Sequence, residues 1–78
     1  MNRLKENINP IAFLNTITET CSGDVWFYTE AGDEINLKSE FSRYVFLTIC
    51  TDPALLKTGS IRLDHPQDLE PLQPFIAI

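Results

Sequence analysis

The only histidine of the chain, His65, lies close to two carboxylates, Asp64 and Asp68. An imidazole and carboxylate oxygens can together hold a divalent cation or move a proton, so this segment suggests a small metal site or an enzyme that works through His65. The same residues suit a polar turn before Pro66, and one histidine is a weak signal for a metal. We therefore predict no catalytic residue, no metal and no cofactor, and keep a His65-dependent enzyme as an alternative.

The two cysteines, Cys21 and Cys50, lie far apart in the sequence and form no Cys-x-x-Cys pair. A disulfide between them would suit an exported protein, but the first ten residues contain no apolar stretch like that of a secretory signal. Two buried, reduced thiols in a cytoplasmic protein are therefore the expected arrangement.

Length and charge limit the class of partner. The 78 residues suffice for one small core, so we expect a single domain over residues 1–78. Six basic and eleven acidic residues give a formal net charge of −5 at pH 7. Such a surface repels phosphates, which argues against nucleic acids and anionic membranes, and no apolar run approaches the roughly 18 residues of a membrane-spanning helix. With nucleic acids and membranes excluded, we expect the partner to be another protein.

Capping and turn residues divide the chain into short elements. Asn9 and Pro10 form a helix start, because Asn9 can cap and Pro10 occupies the first position, where its missing N–H costs nothing. Gly23 can end that helix, and Gly32 can adopt the positive φ of a hairpin turn. The predicted strands cover residues 1–8, 24–30, 34–37 and 60–64; the predicted helices cover residues 9–21, a segment after Ser39 and a short segment from Pro71, with a connection over residues 51–59.

The second helix is predicted from four residues at helical spacing, Phe41, Tyr44, Val45 and Thr48, although the segment VFLTI would also suit a strand. The resulting order is β-α-β-β-α-β(-α). It predicts an α+β fold, an open-faced sandwich with an antiparallel sheet and the helices on one face.

This order and two local motifs resemble the HPr family, the small phosphocarriers of the sugar phosphotransferase system. Asn9-Pro10 opens the first helix, as a proline does in that family. The segment 35–39, Ile-Asn-Leu-Lys-Ser, is similar to the family's strand that runs into a Lys-Ser pair at the start of the second helix. The resemblance is good over residues 8–40, looser over residues 60–76 and poor between them, and it implies an HPr-like open-faced sandwich.

The resemblance also implies what the chain has lost. The family's phosphoryl-accepting histidine falls on Asn7, and the arginine that helps to hold the phosphate falls on Asn9. An amide nitrogen offers no usable lone pair, so Asn7 cannot replace an imidazole. A relative of HPr with these residues cannot relay a phosphoryl group from phosphoenolpyruvate.

The Lys38-Ser39 pair is the part of the family motif that remains. In Gram-positive members a dedicated kinase phosphorylates this serine and thereby changes partner binding, and a phosphate on Ser39 would meet free N–H groups at a helix start. The simpler interpretation is that Ser39 caps the helix. Glu40 and Arg43 lie where the family has an apolar, glycine-containing docking patch, so we expect a more polar partner-binding surface here.

Trp26 and Tyr28 alternate with Val25 and Phe27 in the second strand, so the two pairs lie on opposite faces of the sheet. If Val25 and Phe27 face the helices, Trp26 and Tyr28 form an open aromatic surface for a partner or a weak homodimer. Alternatively the tail covers them, or the two faces are reversed.

The sequence therefore predicts a non-catalytic HPr-like binding or regulatory module with a protein partner of unknown identity. The alternative is a regulatory protein of the phosphotransferase system that is phosphorylated on Ser39 and binds a transcription or transport partner.

Overall fold

A computed structural model describes residues 2–77, in which short strands and helices alternate along the chain. Two 3-10 turns, Pro66–Asp68 and Gln73–Phe75, flank the last helix. The other elements, in chain order, are β1 (Arg3–Leu4), α1 (Pro10–Thr20), β2 (Val25–Tyr28), β3 (Glu34–Asn36), α2 (Glu40–Ile49), α3 (Pro53–Thr58), β4 (Ser60–Leu63), α4 (Leu69–Leu72) and β5 (Ile76–Ala77).

The central strand of the sheet is β2, which pairs antiparallel with β3 on one side and β4 on the other. Its residue Phe27 lies opposite Ile35 of β3 and Ile61 of β4. The strands β1 and β5 form a second antiparallel pair, and a bridge between Asn2 and Ile61 links the start of β1 to β4. These pairings confirm the expected α+β class with antiparallel strands.

A single hydrophobic core lies between the helices and one face of the sheet. Phe13 of α1, Phe27 of β2 and Phe46 of α2 are fully buried. The ring centroids of Phe46 lie 5.7 Å from Phe13 and 5.2 Å from Phe27, in the tilted and edge-on arrangements that aromatic rings favour. The core therefore joins α1, α2 and the central strand.

The first helix starts as its capping residues predict, but its C-cap is Cys21, in an extended conformation, rather than the predicted Gly23. The side chain of Asn9 accepts a hydrogen bond from the backbone N–H of Ala12 at 3.1 Å, and Pro10 is the first helical residue. The helix ends at Thr20, one residue earlier than expected. In the hairpin between β2 and β3, Gly32 has the expected positive φ of 98°.

The predicted connection over residues 51–59 is wrong, because α3 lies within it. Asp52 caps this helix by accepting hydrogen bonds from the backbone N–H groups of Ala54 at 3.1 Å and Leu55 at 3.4 Å, and Pro53 occupies its first turn. Asp52-Pro53 is thus the same kind of helix start as Asn9-Pro10. Leu56 is the buried residue that holds α3 against the core.

The end of the chain also differs from the prediction of one short helix from Pro71. Helical turns begin five residues earlier, at Pro66, and Pro71 lies inside α4. The turns are short because prolines remove N–H donors, so 3-10 geometry precedes and follows the single α-helical turn. The strand β5, which the sequence did not predict, then pairs with β1.

The second helix has its buried side on a different face from the predicted one. The segment VFLTI is helical, and Phe46 is the fully buried residue. Phe41, Tyr44 and Val45, which share the predicted apolar stripe, are all exposed. On the side away from Phe46, α2 therefore presents an aromatic and apolar stripe to solvent.

Candidate docking surface

Four of the five exposed large apolar side chains lie on α1 and α2, and two of them, Ile11 and Tyr44, line one groove. Phe41 is 78% exposed and Tyr44 is 64% exposed, and Val45 of α2 and Ile11 of α1 are also exposed. Scattered single apolar residues are common on protein surfaces, but a cluster is typical of an interaction site. We call these four residues the docking face.

A groove of about 340 Å³ lies beside the docking face, between α1 and α2. Ile11 and Tyr44 contribute to its walls, and Leu14 and Leu47 extend the apolar lining inward. The helices thus leave a concave apolar strip that can accept a side chain from another protein.

Charged residues surround the groove. Lys38, Glu40 and Arg43 line it, so two cations and one carboxylate lie there in a chain of net charge −5. The ammonium of Lys38 donates a hydrogen bond to the backbone carbonyl of Cys21 at 2.7 Å, which fixes the side chain beside the end of α1. The groove is therefore locally more basic than the molecule as a whole.

Ser39 lies at the N-cap position of α2, as the sequence predicts, with extended backbone angles of φ −86° and ψ 128°. Its hydroxyl makes no capping hydrogen bond, which differs from the simpler prediction for this residue. Its carbonyl accepts the N–H of Arg43 at 3.1 Å, so only the backbone of Ser39 takes part in the helix. Ser39 is exposed.

Asn7 and Asn9 lie at the start of α1, where the resemblance to HPr expects a phosphoryl site. Both are exposed, and both line a cavity of about 560 Å³ with Lys5 and Phe75. The side-chain oxygen of Asn9 already accepts the capping hydrogen bond from the N–H of Ala12. Because an amide nitrogen has no usable lone pair, neither Asn7 nor Asn9 can replace the imidazole that the HPr family uses.

Trp26 and Tyr28 lie on the face of the sheet opposite the core. Val25 and Phe27 are fully buried, whereas Trp26 and Tyr28 are half-buried, as the alternation of the strand predicts. The two faces are therefore not reversed. Arg62 of β4 lies over both rings, with its guanidinium carbon 5.8 Å from the Trp26 ring centroid and 5.5 Å from that of Tyr28.

The buried carboxylate of Asp68 organises the segment around His65. Its oxygens accept hydrogen bonds from the backbone N–H of Gly23 at 2.9 Å and from the backbone N–H and hydroxyl of Ser22 at 3.1 and 3.2 Å. Nδ1 of His65 lies 3.1 Å from the Ser22 hydroxyl, and the His65 ring packs against Gly23, where a Cβ would come within 2.8 Å. Asp68 thus ties the end of α1 to the tail.

Burial alone would raise the pKa of Asp68, but the hydrogen bonds from Gly23 and Ser22, together with the nearby His65, outweigh burial and hold the pKa below its ordinary value. The carboxylate is therefore ionised at neutral pH while only 4% of the residue is exposed.

Asp64, His65 and Asp68 do not converge on one point, so the cation site considered for them is wrong. Asp64 instead contacts Arg62 at 3.8 Å. Within residues 2–77, no group of three or more His, Cys, Asp and Glu side chains is placed to hold a metal ion.

Ser22, His65 and Asp68 have the residue types of a hydrolytic triad, but their arrangement is different. In a triad the carboxylate binds and orients the histidine, which in turn contacts the serine. Here Asp68 binds Ser22 and the backbone next to it, while the second contact of His65 Nδ1 is Gln67 at 3.4 Å. This geometry favours a structural tie over catalysis.

Both thiols are free, with Cys21 buried and Cys50 half-buried. Burial is the main reason that the pKa of Cys21 is raised, and burial raises the pKa of Cys50 to about 11. At neutral pH both are therefore protonated, which makes them poor nucleophiles and poor metal ligands.

The docking face is the feature that the sequence pattern missed. The sequence predicts Phe41 and Tyr44 only as residues at helical spacing, and nothing in the pattern of α1 marks Ile11 as exposed. The signal that could have found them is an excess of apolar residues. The apolar surface of α2 includes five residues, Phe41, Tyr44, Val45, Phe46 and Leu47. This surface is wider than the stripe that a helix needs to pack against one core.

Comparison with known proteins gives no match to a family model, a curated protein or a solved structure. Any function must therefore be argued from the residues and their geometry. Within residues 2–77, no helix has the length and apolar character required to cross a membrane.

Proposed function

We propose that this protein is a non-catalytic binding module of the HPr-like type that docks a protein partner through the docking face. The observation that carries the proposal is the exposure of Phe41 and Tyr44, at 78% and 64%, on α2, whose Phe46 is fully buried in the core. Aromatic side chains contribute large contact areas at low entropic cost and dominate many interfaces.

The strand arrangement supports the HPr-like part of the proposal. The order β3-β2-β4, with β1 bridged to β4 through Asn2 and Ile61, suits an open-faced sandwich whose two main helices pack on one side. Asn7 and Ser39 lie before the first turns of α1 and α2, an arrangement compatible with the resemblance. The additional helix α3 and strand β5 depart from the family pattern.

The partner that fits best has an apolar patch with an acidic rim. Ile11, Tyr44 and Leu47 supply the apolar contact, and Lys38 and Arg43 supply the positive charge beside it. Although the chain has a net charge of −5, Lys38 and Arg43 would attract acidic side chains of a partner to this groove. The free thiols support a reducing, cytoplasmic setting for this interaction.

In-cell photo-crosslinking tests the docking face. Phe41 is replaced by p-benzoylphenylalanine, and Leu55, a 37% exposed residue of α3, is replaced in a matched control. We expect a discrete protein adduct from position 41 that disappears when Tyr44→Ala is added, and no such adduct from position 55. Equal adducts at both positions, or an adduct that is insensitive to Tyr44→Ala, would overturn the proposal.

A second candidate function is regulation by phosphorylation on Ser39. It is favoured by the exposed hydroxyl, which makes no capping bond, and by the free N–H groups of the first turn of α2 that would receive a phosphate. Glu40 is adjacent and opposes the added charge.

Incubation with HPr kinase and ATP tests this candidate. We expect one phosphate, located at Ser39 by mass spectrometry and missing in Ser39→Ala, with Ser42→Ala as the matched control. A chain that remains unmodified under conditions in which HPr itself is phosphorylated excludes it.

A further inference from the structure

Arg62 lies against the outer face of the sheet, defined here by Trp26, Tyr28, Glu34 and Arg62. Its guanidinium lies over both aromatic rings, at 5.8 and 5.5 Å from their centroids. Stacking restrains the side chain and leaves the N–H donors at the edge of the guanidinium plane free for a carboxylate. The one ion pair of Arg62 within residues 2–77, with Asp64 at 3.8 Å, is long and half-exposed, so it is weak.

Glu34 lies on the same face, across the sheet from Arg62. It is directly opposite Tyr28 in the β2–β3 pair, and Arg62 is directly opposite Trp26 in the β2–β4 pair. Residues that face each other across antiparallel strands project to the same side. Glu34 is exposed and makes no ion pair within residues 2–77. The outer face thus has a cation on one flank, a carboxylate on the other and two aromatic rings between them.

We propose that the outer face binds a second copy of the chain. A two-fold axis parallel to β2 places β4 of one copy over β3 of the other, as in aligned packing of two sheets. Arg62 of each copy then meets Glu34 of the other, and the ion pair forms twice. Arg62 is opposite Trp26, whereas Glu34 is opposite Tyr28, two residues further along β2. Because the guanidinium of Arg62 also lies over the Tyr28 ring, it can reach the level of Glu34.

The size of the outer face sets the strength of this dimer. The strands involved have three or four residues each, so the buried area is below the roughly 1,200 Å² of a standard stable interface. The dimer is therefore weak and reversible, and it depends on ionic strength because the pairs lie at its rim. The docking face belongs to the helices on the other side of the sheet, so this dimer leaves it free.

Sedimentation velocity over a range of protein concentrations, with charge reversals, tests the dimer. We expect Arg62→Glu and Glu34→Arg each to weaken self-association about tenfold or more, because like charges then meet at both pairs. An equimolar mixture of the two variants should dimerise again, since both junctions become Glu–Arg pairs. Lys57→Glu and Glu19→Arg, which change net charge equally at exposed sites elsewhere, should behave as the wild type.

Tryptophan fluorescence provides a second readout, because Trp26 is the only tryptophan of the chain. Its emission should change with concentration in the wild type and in the mixture, but not in either single variant. If a single variant does not fold, the double variant Arg62→Glu/Glu34→Arg decides, since it should dimerise with itself. A wild type that stays monomeric up to millimolar concentration overturns the proposal, and so does a mixture that does not associate.

Discussion

The sharpest stability prediction concerns Asp68→Asn, which keeps the shape of the side chain and removes its charge. In the native structure the two carboxylate oxygens accept bonds from Ser22 and from the N–H of Gly23. An amide must turn its NH2 group toward one of these donors, which leaves that donor unpaired at a site where the residue is 4% exposed. Hydrogen bonds to a charged group contribute about 1.5–3 kcal/mol each, so losing one and weakening the others costs roughly 2–4 kcal/mol.

That cost is a large part of the roughly 4–12 kcal/mol expected for a domain of this length. Urea unfolding at pH 7 measures it, and with a slope of about 1 kcal/mol per molar the midpoint should fall by roughly 2 M or more. Asp64→Asn is the matched control, because Asp64 is exposed and its ion pair with Arg62 is long; it should cost below about 0.5 kcal/mol.

The same substitution has a predicted pH dependence. The pKa of Asp68 is lower in the folded chain than the ordinary value of 3.8, so its contribution to stability is complete above that value and is lost as the pH falls through the folded pKa. The stability difference between wild type and Asp68→Asn should therefore be constant near neutrality and shrink below pH 3.8. A difference no larger than that of Asp64→Asn, or one that does not change with acid, would refute this account of Asp68.

Three further predictions address packing and thiol chemistry. Gly59→Ala would bring a Cβ within 2.2 Å of the Phe27 ring, so it should lower the free energy of unfolding by about 1–3 kcal/mol in a urea titration; retention of full stability would contradict the packing. Phe46→Ala should cost about 3–5 kcal/mol by the same assay and Phe41→Ala below about 0.5 kcal/mol, and equal costs would mean that the exposed stripe of α2 is misassigned. Because burial raises the pKa of Cys50 to about 11, a disulfide reagent at pH 7.5 should react with it much more slowly in the folded chain than in urea, and equal rates would exclude this shielding.

The sequence predicts those parts of the fold that depend on local chemistry. Asn9-Pro10 predicts the start of α1, Gly32 predicts the turn of the hairpin, and the alternation around Phe27 predicts which face of β2 is buried. Each of these is decided within a few residues, by a cap, a permitted φ or the two-residue period of a strand.

The remaining features depend on contacts between distant residues. Which side of α2 is buried is decided by Phe13 and Phe27, which pack on Phe46, and the local spacing of Phe41 and Tyr44 cannot reveal this. The contact of Asp68 with Ser22 joins residues 46 positions apart, so no local pattern indicates it. The helix α3 could have been predicted, because Asp52-Pro53 is as clear a start as Asn9-Pro10.

The docking face is expected to bind a protein, a claim that calorimetric titration with the partner crosslinked through position 41 tests. Tyr44→Ala should raise the dissociation constant tenfold or more, since an exposed aromatic anchor of an interface typically contributes at least 1.4 kcal/mol. Leu55→Ala, on α3, should leave the constant unchanged. A Tyr44→Ala variant that is correctly folded and binds as tightly as the wild type would contradict the claim.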